Sequence, residues 1–186
     1  AVDRSPRAKD LVTVLWSDHG WQLGEKEHWR KFALWEEATR PPFLIVAPGV
    51  TKPGARCEAP VDYMSIYPTV VDLAGLPIPP HVQGPTLRPL LENPDAPWTR
   101  PSLCTHGRGN HGVRDRDWRY IRYADGSEEL YDHRKDPYEW TNLASDPKLA
   151  DLKRKLAAGL PSAEVPDAPR EKAGKGGKGG RGNADE

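Results

Sequence analysis

The chain has 186 residues, with 27 basic and 27 acidic side chains and a formal net charge of zero, so no global field argues for nucleic acid or an acidic membrane as partner. A hydrophobic content of 37% suits one modest domain, and no apolar stretch reaches the roughly 18 residues of a membrane-spanning helix. The 20 prolines and 17 glycines predict many loops.

The opening AVDRSPRAKD is polar and charged, unlike a signal peptide. Residue 1 is Ala, the only methionine is Met64, and a first strand follows after a short charged lead, a pattern expected of a piece of a longer chain. Residues 11–16 form an unbroken apolar, β-branched run, which predicts a strand buried on both faces of a mostly parallel sheet. If earlier strands of that sheet lie elsewhere, residues 11–15 and 43–46 are left with an exposed edge and uncovered apolar surface.

The run stops at Ser17-Asp18-His19-Gly20. In open α/β sheets ligands bind beyond the carboxyl ends of strands, where this polar cluster falls. Asp18 and His19 would point to opposite faces of a regular strand, and Gly20 offers backbone freedom for a turn that lets them converge. Two readings stand: a turn with Asp bonded to its own backbone, or a metal site. Trp21, His28, Trp29, Arg30 and Lys31 follow with little apolar periodicity, the composition of an anion site with a shaped wall.

Residues 33–40 suit a short helix with Leu34, Trp35 and Ala38 at apolar spacing, ended by Pro41-Pro42. Residues 43–47 read as a second short strand. Residues 61–75 predict the clearest helix, with Ser65 as cap, Pro68 at the third helical position and Ile66, Val70 and Leu73 as its apolar face. Asp62 and Asp72 read as capping and solvated groups.

Residues 77–101 are a proline-punctuated connection with one helical turn, leading to a second, smaller sheet. Residues 111–132 predict an antiparallel meander, with Ala124-Asp125-Gly126 as a hairpin signal. Arg114, Arg116, Arg119 and Arg122 alternate along it, as a basic binding face or, the favoured reading, a solvated strand face. Asp146-Pro147 starts a helix with Leu149, Leu152 and Leu156 on one stripe and Gly159 at its end. Beyond Pro161 there is no apolar cluster to offset ordering entropy, so a disordered Gly/Lys-rich tail is expected.

The run Ser17-Asp18-His19-Gly20-Trp21-x-Leu23-Gly24-Glu25, then Trp29-x-Lys31 and Glu37-Ala38-Thr39-Arg40-x-Pro42, resembles the type I sulfatases of the alkaline-phosphatase-like superfamily, most closely their iduronate-sulfatase-like branch. The resemblance covers roughly residues 10–145 and implies an α/β fold. Residues 1–100 would be the C-terminal portion of its mixed sheet with flanking helices, 101–160 a small antiparallel subdomain with a C-terminal helix, and 161–186 the tail. It implies hydrolysis of sulfate esters, with Asp18 and His19 ligating a divalent cation, usually calcium. Lys31 would hold the sulfate, Trp21 would line the sugar pocket, and His111, in a Gly-Asn-His found in relatives, would be a substrate contact.

His28 lies in the right stretch for the histidine that protonates the leaving alcohol, and is a catalytic candidate on position alone. The formylglycine nucleophile comes from Cys-x-Pro-x-Arg, whereas Cys104-Thr105-His106-Gly107-Arg108 has His in the third place, so Cys104 reads as structural. Nucleophile, further oxygen ligands and any export signal would lie upstream of Ala1. Cys57 and Cys104 are compatible with one disulfide or two free thiols. Two alternatives remain, a phosphoric ester hydrolase in which Asp-His binds zinc, and a non-catalytic remnant that binds sulfated glycans. Trp21 and Trp29-x-Lys31 argue against the phosphoric ester hydrolase.

Overall fold

The computed structural model describes residues 2–166. The Gly/Lys-rich stretch of the expected tail lies outside the described residues. Strand β1 (Thr13–Trp16) ends at the Ser-Asp-His-Gly cluster. The chain then forms a two-residue ladder of β2 (Gln22–Leu23) and β3 (Trp29–Arg30), a helical turn α1 (Glu36–Thr39) and β4 (Phe43–Val46). β4 returns antiparallel to β1, with Thr13 opposite Val46 and Trp16 opposite Phe43.

The expectation of a strand buried on both faces is corrected here. Leu15 is 54% exposed and Trp16 50%, with Leu44 and Val46 similarly open on β4. An apolar β-branched run specifies a strand, yet its burial depends on layers that only tertiary structure supplies. The uncovered apolar surface expected at residues 11–15 and 43–46 is what the structure shows at Leu11, Leu15, Leu44 and Val46.

Helix α2 (Ile66–Leu73) is shorter than the predicted span and is preceded by a 3₁₀ turn, Tyr63–Ser65. Ser65 does not cap it. Its backbone is already helical and its side chain makes no cap bond, while its carbonyl accepts a hydrogen bond from Thr69 Oγ1. Thr69 Oγ1 in turn accepts from Leu87 N at 2.8 Å. Asp72 is no solvated group either, since it pairs with Arg88 Nε at 3.0 Å and accepts from Thr86 Oγ1 at 2.6 Å. This polar clamp holds α2 against α3 (Arg88–Glu92) and buries Pro68 and Thr69, so the apolar stripe faces elsewhere and Val70 stays exposed.

The remaining strands, β5 (Ser102–Thr105), β6 (His111–Arg114), β7 (Trp118–Arg122) and β8 (Glu128–Asp132), form one antiparallel sheet in chain order. Gly126 has φ 85° in the predicted β7–β8 hairpin, and Gly126 N donates to Tyr123 O. Successive side chains alternate between faces. Val113, Tyr120 and Leu130 pack with Leu156 and Leu160 on the side covered by α4 (Ala150–Ala157), while Ile121 and Tyr131 pack with Leu34 on the other. Asp146 Oδ1 accepts from Lys148 N, so the predicted start is capped as expected. Cys57 and Cys104 are both free, and burial pushes the Cys104 thiol up.

Candidate functional site

The loop after β1 is fixed by three backbone contacts to one segment, residues 37–42. Ser17 N donates to Pro42 O, Gly20 N to Ala38 O at 2.8 Å and Trp21 N to Glu37 O at 2.8 Å. Ser17 Oγ donates to His19 O at 2.9 Å, and Tyr63 Oη donates to Ser17 O at 2.6 Å. Burial, with the nearby Asp18 charge second, raises the Tyr63 phenol above its ordinary value. Gly20 is required for a different reason from the one expected. Its φ is not positive, and a Cβ there would stand 1.9 Å from Glu37 O, so α1 can dock on the loop only if this side chain is absent.

Asp18 and His19 do converge, with Nε2 of the histidine 3.6 Å from Oδ2 of the aspartate. His19 Nδ1 lies 2.6 Å from Gly20 O. With Nδ1 engaged by that carbonyl, Nε2 is the ring nitrogen left beside the carboxylate, and a backbone carbonyl on one ring nitrogen is a common way of orienting a metal-ligating histidine. The Asp18 side chain is 84% exposed, so its oxygens are reachable. One carboxylate and one imidazole nitrogen side by side fit a divalent cation, though they are two donors of the six or more that calcium takes. Trp21 lies half-exposed beside the pair, its ring 5.8 Å from that of His19.

Asp18, His19 and Lys31 line one cleft of about 780 Å³. Its far wall carries Arg114 and Arg116 from the end of β6 and the turn after it, together with His106 from the β5–β6 loop. Sequence reasoning did not identify Tyr63 or His106, because an aromatic at a helix start and a loop histidine carry no spacing signal.

His111 is not brought to this cleft. It is buried in β6, with Nδ1 2.8 Å from Thr105 Oγ1 and Nε2 2.8 Å from Glu164 Oε1. His28 packs its ring edge-on to Trp35 at 5.6 Å and lines a smaller neighbouring cavity.

The four arginines do not form one solvated face: Arg116 is exposed, Arg114 and Arg122 are half-buried and Arg119 is buried. Arg119 is buried beneath the cleft, paired with Glu36 on α1 and with Glu139 after β8; its Nε lies 2.5 Å from Glu139 Oε1 as an ion pair rather than an aligned hydrogen bond. Arg114 Nε stands 3.4 Å from Glu36 Oε2. Glu139 also accepts from Glu36 N at 2.9 Å and lies 2.8 Å from His133 Nε2. Burial pushes both carboxyls up, but Arg119, Arg114 and His133 around Glu36, and His133 and Arg119 around Glu139, outweigh it and hold both below the ordinary range.

Ligand atoms of Glu36, His133 and Glu139 lie within 4.8 Å of one another. Arg119 already supplies the cation there, so this group is an ion-pair hub and not a metal site. Lys26 completes the junction, donating to Tyr131 Oη at 2.9 Å and lying over the Trp35 ring at 4.7 Å. The segment carrying Lys31 is thereby pinned to the four-stranded sheet.

The chain matches the family described as N-sulphoglucosamine sulphohydrolase, C-terminal, over residues 24–165. It is 40% identical over 165 residues to a sulfatase of Formosa agariphila, covering 89% of this chain and 32% of that protein. Arylsulfatase K of Mus musculus is 31% identical over 161 residues, covering 78% of this chain and 29% of that one. A protein solved in complex with its substrate D-glucosamine-2-N,6-O-disulfate superposes with a TM-score of 0.73 at 28% identity, over 82% of this chain and 34% of its own. The chain thus spans about a third of the length of these relatives. In family terms it is a type I sulfatase C-terminal part, a member of the N-sulphoglucosamine sulphohydrolase C-terminal family.

Proposed function

We propose that this chain carries part of the active site of a sulfuric ester hydrolase that acts on a sulfated sugar. The observation that carries the reading is the single cleft shared by Asp18, His19 and Lys31, in a chain whose relatives are sulfatases. Asp18 and His19 are proposed to hold a divalent cation, calcium by the family resemblance. Such an ion, when bound, polarises sulfate oxygens as a Lewis acid. Lys31 would place an ammonium beside the sulfate, and the exposed Arg116 adds a second cation to a cleft whose lining also carries Glu58 and Asp117. Trp21 offers an aromatic face to the sugar. Residues 1–100 are proposed as the α/β portion of the larger fold and 101–160 as its small C-terminal unit.

Calorimetric titration of the chain with D-glucosamine-2-N,6-O-disulfate in the presence of calcium tests this. Binding is expected, weakened about tenfold or more by Lys31→Ala, the order of one lost charge-assisted contact. Asp18→Asn should remove the calcium dependence. Equal affinity in wild type and Lys31→Ala would sink the reading.

A further inference from the structure

We infer that the β5–β6 loop forms an oxyanion site whose resident ligand is the carboxylate of Glu164, and that the segment after α4 is thereby a detachable strap on a loop that reaches the cleft. The loop runs over residues 106–110 and leads into His111 on β6. Glu164 Oε1 lies 2.8 Å from His111 Nε2, and Oε2 accepts from Gly109 N at 3.1 Å. One imidazole and one backbone amide thus engage both oxygens, a donor set suited to any small oxyanion.

The donors are in place without the strap. A carboxylate only accepts, so Nε2 of His111 carries a proton, while Nδ1 is held 2.8 Å from the Thr105 hydroxyl on the neighbouring strand. The His111 side chain is 4% exposed, which fixes the ring. Gly109 has φ 78°, a backbone that favours glycine, and a Cβ there would stand 3.0 Å from that of Ala124. Asn110 Oδ1 accepts from Ala124 N at 3.0 Å and ties the loop to the β7–β8 hairpin. The His111 hydrogen bond, with Gly109 N–H and the Arg108 charge behind it, holds the Glu164 carboxyl below the usual carboxylate range against its desolvation.

The ligand, by contrast, is attached by little else. Leu160 packs in the core, and Glu164 lies four positions beyond it. Residues 162–166 are exposed, Val165 at 79%. Among the described residues, the two contacts of Glu164 are the hydrogen bonds that hold 161–166. So short a tether gives the carboxylate an effective concentration of roughly millimolar order, which a free anion at higher concentration can match.

The loop passes the latch on to the cleft. His106 N donates to Asn110 O at 3.0 Å, and His106 lines the cleft with Lys31. Releasing the strap therefore loosens one wall of the cleft, and strap on and strap off are two states of that wall.

The test compares the 186-residue chain with Glu164→Ala and Glu164→Gln by NMR and amide hydrogen exchange. Glu164 lies on the surface, so neither change removes packing. In Glu164→Ala the Gly109 amide is expected to exchange about tenfold faster, as for one lost charge-assisted hydrogen bond, and the His111 and His106 ring signals should shift. Sodium acetate, well above the tethered value, should return these signals toward those of the wild type along a saturable curve, and sodium chloride at equal ionic strength should not. Glu164→Gln, which keeps an acceptor and loses the charge, should fall between the two. Unchanged Gly109 exchange in Glu164→Ala would overturn the strap. Acetate shifts that are the same in wild type and variant, or that chloride reproduces, would overturn the oxyanion site. Altered Gly109 and His111 signals with His106 unmoved would overturn the link to the cleft.

Discussion

The four-stranded sheet and the β1–β4 ladder are built from the same antiparallel pairing and differ in what covers them. Val113, Tyr120, Ile121, Leu130 and Tyr131 are inaccessible because α4 packs on one face and Leu34 with its neighbours on the other. β1 and β4, whose sequences are more uniformly apolar, leave half their large side chains open. Hydrophobicity along a strand thus sets only its capacity for burial. The four-stranded sheet also pairs its buried charges, and the ion-pair hub beneath the cleft is the strongest case.

Removing the hub is the largest break. Arg119→Met leaves Glu36 and Glu139 buried without their cation, and losing one partner of a buried pair costs about 3–5 kcal/mol. Urea unfolding followed by tryptophan fluorescence should show that loss, and α1 should detach from the sheet. A cost under about 1 kcal/mol would mean that the carboxylates find water or protonate, and that the hub does not join the two regions. Leu130→Ala comes next, at about 2–5 kcal/mol, since it opens a cavity at the centre of the covered sheet.

Acid titration sharpens the same point. Glu36 and Glu139 are both held below the ordinary carboxylate range by their cationic partners. A carboxyl whose folded value is depressed contributes stability that is fully present above its unfolded value, about 4.3 for glutamate, and is lost as pH falls through the folded value. Stability should therefore decline below about pH 4.3. The decline should be shallower in Arg119→Met, where the depression is gone.

What could be read from the sequence divides along the same line. Helix starts, the Asp-Gly hairpin, the leucine stripe of α4 and the Asp18-His19 pair rest on local chemistry, and the structure places each near where it was expected. The hub was not legible, because Glu36, Arg119, His133 and Glu139 are remote in sequence and each alone resembles a surface charge. An arginine every two or three residues along β6 and β7 suggested one solvated face, but the neighbouring layer decides which arginine is buried. Ser65 failed as a cap for a related reason, since the preceding 3₁₀ turn had already begun the helical backbone.

The smallest effect is expected at the uncovered ladder, and it is the most informative about what β1 and β4 are for. Leu15 and Leu44 oppose each other across the pair, both more than half exposed. Substitution by Lys removes little buried area, so the melting transition should move by no more than about 0.5 kcal/mol, as for ordinary surface changes. A contiguous apolar patch on an open sheet edge is, however, a site for association. Light scattering of the wild-type chain should rise with concentration, and Leu15→Lys with Leu44→Lys should suppress the rise. If the double variant instead unfolds, these leucines are already buried against something in solution, and the contrast between the two sheets would dissolve. If it stays folded and scatters as before, association runs through another surface, with Tyr67 and Val70 on α2 and Leu76 just beyond its end the next apolar group to replace.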